Sequence, residues 1–251
     1  MRKLLIILSI LLIPVSVARA EVTVGIGISV PGISIGINLP AYPRLVPVPG
    51  YPVYYDPQVH SNYFFYDGLY WVLATDGWYV SSWYNGPWDF VESQYVPLYL
   101  LRVPVRYYRR PPSYFRGWRV DAPPRWGDYW GHDWRERHKG WDKWNRRATP
   151  RPAPLPRYQR RFTGDSYPRV PEVQHKIQSK RYRYEPREPV VKKYYKDQRS
   201  QAERHDKERK SEYRSNKERY KKEYKKERSN KQQNDKKQRS KQGDSWNDRR
   251  R

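Results

Sequence analysis

Residues 63–88 read YFFYDGLYWVLATDGWYVSSWYNGPW, and three turn dipeptides fix how this stretch is read: Asp67-Gly68, Asp76-Gly77 and Asn85-Gly86, at a regular nine-residue spacing. Asp-Gly and Asn-Gly accept the positive backbone φ of type I′ hairpin turns, whose twist matches the strands they join. Between them, Leu69–Thr75 and Trp78–Tyr84 predict two antiparallel strands, with Tyr63–Tyr66 supplying the strand before and Trp88–Val91 the strand after. Pro87 sits at the start of the last strand, where a missing N–H is tolerated. Alternation places Leu69, Trp71 and Leu73 on one face and Tyr70, Val72 and Ala74 on the other, so both faces are apolar or aromatic and neither stands out as the core. Tyr95–Leu101 and Val103–Tyr108 predict two further strands, held to an edge by Pro97 and Pro104. Residues 61–108 thus form the expected folded unit, an aromatic β-meander.

Upstream, residues 1–20 carry the pattern of a secretory signal peptide. Arg2 and Lys3 precede an apolar run from Leu4 to Val17, and Ala18-Arg19-Ala20 is a small-x-small cleavage site. The run is shorter than the ~18 residues of a membrane-spanning helix. Cleavage after Ala20 would place the mature chain outside the cytoplasm, periplasmic or secreted. Residues 21–39 alternate with period two around Pro31-Gly32 and predict a Gly/Ile β-hairpin turning there. Residues 40–60, with six prolines among tyrosines, predict an extended linker.

Downstream, residues 109–147 interleave aromatics with cations. Trp126, Trp130 and Trp134 recur at i, i+4 and i+8, which predicts a helix from about Asp128 with its indoles on one side, weakened at Gly131 and Gly140. Such a stripe either packs on the sheet or offers rings to a ligand. Residues 148–175 predict a Pro/Arg linker, and residues 176–251 a basic low-complexity tail, disordered or a solvated charged helix. Tyr213, Tyr220 and Tyr224 share one face of that helix. The fold class expected overall is a small mainly-β unit, an antiparallel meander with a Trp-rich helix and a long C-terminal tail.

The YFFYDGLYW run, WYVSSWYNGPW and Val96-Pro97 resemble an uncharacterised family of secreted proteobacterial proteins with a YYDG.YW…WY.S..YNGPW core. Tyr114–Arg119, Pro123–Trp126 and Gly140–Arg146 are similar to it as well. The resemblance spans residues 21–170 and implies an envelope location; it carries over no activity, ligand or catalytic residue.

Composition bounds the chemistry. The 251 residues hold 51 Lys and Arg against 26 Asp and Glu, a net charge of +25, so the chain attracts polyanions before any specific contact is made. Cysteine is absent, which removes disulfides, thiolate zinc sites and lipidation at the cleavage point. His132 and His138, with Asp128, Asp133 and Asp142, match no standard zinc spacing. Ser81 and Ser82 lack the glycine-flanked elbow of a hydrolase serine. No catalytic, cofactor or metal residues are expected. The sequence reads as a non-enzymatic envelope or secreted protein that binds an anionic polymer or surface, lipopolysaccharide or acidic polysaccharide, through its basic tail. An aromatic carbohydrate-binding module is the alternative, with Trp78, Trp83 and Trp88, joined by Trp126, Trp130 and Trp134, as ligand platform. An extracellular nucleic-acid binder is the second.

Overall fold

The computed structural model describes the backbone of residues 28–247 and the side chains of residues 34–228. The expected signal peptide and residues 21–27 of the expected hairpin therefore lie outside the described residues. Seven strands form one antiparallel sheet: β1 (Ile28–Ile33), β2 (Val46–Pro47), β3 (Tyr54–Tyr55), β4 (Asn62–Tyr66), β5 (Leu69–Leu73), β6 (Trp78–Ser81) and β7 (Trp88–Val91). Their order is β1-β7-β6-β5-β4-β3-β2, a meander from β2 to β7 with β1 added at the far edge. The helices are α1 (Leu98–Leu101), α2 (Trp126–Trp130), α3 (His132–Arg137), α4 (Pro171–Arg181) and α5 (Pro189–Asn247). Helix outweighs strand, so the mainly-β expectation holds only for the sheet at the centre.

The meander of β4 to β7 follows the turn dipeptides. Phe64 pairs with Trp71 and Trp71 with Val80, while on the other face Tyr63 pairs with Val72 and Val72 with Tyr79. The turns differ in kind. Asp67 (φ +50°) and Gly68 (φ +90°) are both left-handed, as type I′ requires; at the other two, only Gly77 (φ +152°) and Gly86 (φ +82°) take positive φ. The second turn is consequently a wider loop over 74–77, closed by the Ala74 N–H on the Gly77 carbonyl at 2.9 Å.

Four readings of the flanking segments are corrected. Pro31-Gly32 does not turn a hairpin; it lies inside β1, which pairs with β7 across a register shift between Ser29 and Ile33. A bulge accommodates the proline that a regular ladder rejects. Residues 40–60 are not a linker but carry the β2–β3 hairpin, with Val48 and Val53 fully buried beside it. Tyr95–Leu101 and Val103–Tyr108 are not strands. Pro97 and Pro104, fixed near φ −60°, start α1 and a 3-10 turn at Val105–Tyr107, which bury Leu100, Leu101 and Val105. The indole-bearing segment is two short helices, because Gly131 at φ +87° ends α2.

Both faces of the sheet are buried. One, with Phe64, Trp71, Trp78 and Val80, is covered by α1, α2, α3 and the first turns of α5 through Val190, Val191 and Tyr194. The other, with Tyr63, Phe65, Tyr70 and Tyr79, is covered by Ile35, Ile37, Leu39 and Tyr42 on the crossing from β1 to β2, and by Ala153, Leu155, Tyr167 and Tyr182. Residues 148–175, expected as linker, are this second cover. Each aromatic side chain so buried contributes about 1.5–3 kcal/mol of transfer free energy. A sheet covered on both sides needs apolar residues at every position, which is why β4 and β5 show no polar face.

Candidate functional site

The six tryptophans proposed as a ligand platform lie in or against the core. Trp78, Trp83 and Trp88 are 1%, 0% and 2% exposed, which leaves no open ring face for a sugar. Trp83 is ringed edge-on by Tyr158, Phe162 and Tyr167. Trp126 is buried and donates its indole N–H to the Leu101 carbonyl at 2.9 Å; Trp134 is buried and donates to the Ser93 carbonyl. Trp130, half-buried, is held between them at ring distances of 4.5 and 5.0 Å. The stripe is core.

The buried polar groups fasten the wraps to the sheet. Gln159, fully buried, accepts from the Tyr70 hydroxyl at 2.9 Å and donates to the Ser82 carbonyl at 2.9 Å. Gln174 donates to the carbonyls of Gly86 and Pro168. The Asp67 carboxylate accepts from the Tyr184 hydroxyl at 2.6 Å and from the backbone N–H groups of Arg187 and Glu188, just ahead of α5. Next to it the Tyr66 hydroxyl donates to Glu188 at 2.5 Å, and the Tyr195 hydroxyl donates to the Gly68 carbonyl. Burial raises the Glu188 pKa, partly offset by the bond from Tyr66. These groups are satisfied, and their role is to dock the C-terminal segment on the Asp67-Gly68 turn. His138 stacks on Trp134 at 4.3 Å, and among the described residues no three His, Asp or Glu side chains come together as a metal site.

What extends from this body is α5. Its first turns are docked: Val191 and Tyr194 in the core, Gln198 bonded to the Tyr194 hydroxyl, His205 3.8 Å from Glu172 of α4. From residue 206 to 228 every side chain is exposed except the half-buried Asn216. Tyr213, Tyr220 and Tyr224 are 69%, 66% and 68% exposed. Residues 206–251 carry 19 Lys and Arg against 9 Asp and Glu. The tail boundary expected at 176 thus moves to about 206, because α4 and the start of α5 are anchored by Gln174, Gln178, Tyr194 and Tyr195, residue types that composition scores as polar or amphipathic. No helix among the described residues is long and apolar enough to cross a membrane.

The arrangement is a sheet clad on both faces with a long basic helix leading away from it. No family profile matches the sequence, and no curated protein or solved structure matches the chain.

Proposed function

We propose that this chain is an exported, non-enzymatic protein that binds anionic envelope polymers or surfaces, such as lipopolysaccharide or acidic polysaccharide, through α5 beyond His205. The observation that carries this reading is the exposure of a net-positive stretch on a helix whose root is locked into the core. Binding would proceed by release of counterions from the polymer as Lys and Arg side chains neutralise its charges. A rigid root and a solvated basic extension suit a tether: the body keeps its fold while the helix follows a polymer of irregular shape. The signal-peptide pattern of residues 1–20 and the resemblance of residues 63–88 to secreted proteobacterial proteins support the extracytoplasmic setting.

The test compares the full mature chain with one ending at residue 205, titrated with lipopolysaccharide at several salt concentrations. The full chain should bind with an affinity that falls steeply as salt rises, and the shortened chain should bind more weakly with a shallower slope. Equal affinity and slope in both would remove α5 as the binding element. Mass spectrometry of the protein from its native host should find an N-terminus at Glu21.

A further inference from the structure

Between residues 206 and 228 the charges of α5 are sorted by face. At about 100° per residue, Tyr213, Tyr220 and Tyr224 fall within about 20° of a single line along the helix. Lys207, Lys210, Arg214, Lys217, Lys221, Lys225 and Arg228 occupy the sector about 40–120° to one side of it, one cation per turn over about 32 Å of axis. None of the acids in the stretch falls within that sector: Asp206 lies on the tyrosine line, Glu218 beyond the ridge, and Glu208, Glu212, Glu223 and Glu227 on the far side of the tyrosines. A stripe of open aromatic rings therefore runs beside an unbroken ridge of positive charge.

The two features select different parts of a ligand. Five of the seven ridge cations are Lys, point charges without the planar fork of Arg, so the ridge supplies mainly field and spacing rather than bidentate geometry. The tyrosines supply what charge cannot: apolar ring faces with a polar rim. A linear polymer that carries one carboxylate per sugar ring meets both. Its rings pack on the tyrosines while its carboxylates, set at one edge, reach the lysines. Polyphosphate has the charge without the ring, and a neutral glycan the ring without the charge. Single-stranded nucleic acid has both, but it gains from guanidinium planes on which bases stack, and only two of the seven ridge cations are Arg. A second copy of the chain fits poorly, since Asp206 lies on the tyrosine line and Asn216 and Lys217 flank it between Tyr213 and Tyr220, where a coiled coil needs apolar residues.

We propose that this face of α5 is a binding surface for linear acidic polysaccharides of the polyuronate kind. The inference rests on the polyanion-binding reading above. The full-length chain would be titrated with polygalacturonate, polyphosphate, dextran and single-stranded DNA, alongside Y213A/Y220A/Y224A and K210Q/K217Q/K221Q. All six positions are solvated and every replacement is tolerated in helix, so the melting transition should not move. The tyrosine variant should lose about tenfold or more in affinity for polygalacturonate while keeping its affinity for polyphosphate, as expected when ring contacts are removed. The lysine variant should weaken on both and show a shallower salt slope. Three results would overturn the proposal: an unchanged affinity of the tyrosine variant for polygalacturonate, tighter binding of DNA than of polygalacturonate through the same tyrosines, or a monomer–dimer equilibrium that the tyrosine variant abolishes. Binding of polyphosphate alone would sink ring recognition and leave the tether reading standing; binding of neither polyanion at low salt would sink both.

Discussion

Asp67 holds together two distant parts of the chain with one carboxylate. Its left-handed φ of +50° closes the first turn, and its oxygens take the Tyr184 hydroxyl and two backbone N–H groups more than a hundred residues on. Replacing Asp67 with Ala leaves those donors unmatched and forces Ala into a disfavoured region, a loss of roughly 2–4 kcal/mol from the charged hydrogen bonds alone. Denaturant midpoints should show a large drop for Asp67→Ala and a smaller one for Asp67→Asn, which keeps an acceptor and tolerates positive φ. Gly86 is constrained differently: at φ +82° an added Cβ would lie 2.7 Å from the Trp88 ring, itself packed in the core. Gly86→Val should therefore cost more than ~1 kcal/mol by strain alone, with the clash in addition. Glu188 sets a pH response. Its carboxyl pKa is raised on folding by burial, so the folded chain holds the proton more tightly than the unfolded one. Stability from this group is complete below its ordinary value of 4.5 and is lost as pH rises through the folded value. Glu188→Gln, which can still accept from Tyr66, should raise the melting temperature at pH 7 and flatten its fall across that window; an unchanged pH profile would mean that Glu188 is not the group responsible.

Among the elements, α5 divides into a root and a free arm. Its root supplies Val190, Val191 and Tyr194 to the core, and from residue 206 to 228 the helix has no buried side chain. A chain ending at residue 205 should keep the full melting transition, whereas one ending at residue 188 should lose it or melt far lower, since three buried side chains at about 1.5–3 kcal/mol each rival the net stability of a domain. Equal melting of both would show that the root is not part of the core. The meander was legible in the sequence because its instructions are local: Asp-Gly and Asn-Gly turns, and a period of two between them. The wraps were not. Residues 40–60 and 148–200 carry buried positions such as Val48, Val53, Ala153, Gln159, Gln174 and Tyr194 scattered among prolines and cations, and no aliphatic run longer than the pair Val190-Val191 marks them. Gln159 is buried because its amide is fully bonded across the sheet, a condition visible only once Tyr70 and Ser82 stand opposite it. The same holds for the tryptophans. Spacing showed that Trp126, Trp130 and Trp134 share a face; the cover on that face decided whether they were core or platform.

At the scale of the whole molecule, the apolar material is concentrated around one sheet, and part of the excess positive charge is carried on an arm. Residues 206–251 hold a net excess of 10 cations (19 less 9), out of +25 for the chain. Charge set apart in this way can act on a polymer without straining the core by self-repulsion. The faces of this arm were partly legible: Tyr213, Tyr220 and Tyr224 were placed together by spacing, but the ridge of cations beside them emerges only when the helix is taken as continuous from a fixed root. Continuity also predicts its dynamics. A helix of Lys, Arg and Glu has adequate propensity but no buried face, so local opening beyond residue 205 costs little, while β4, β5 and β6 open only with the whole core. Hydrogen exchange on the free chain should show amides of 206–228 exchanging early and those of Phe64, Trp71 and Val80 last. Excess polyphosphate should slow the arm and leave the sheet unchanged, because a ligand bound only to the helical arm stabilises it by mass action. Protection of the free arm equal to that of β5 would mean that the helix is packed against something, and the arm would then no longer be the element that meets the polymer.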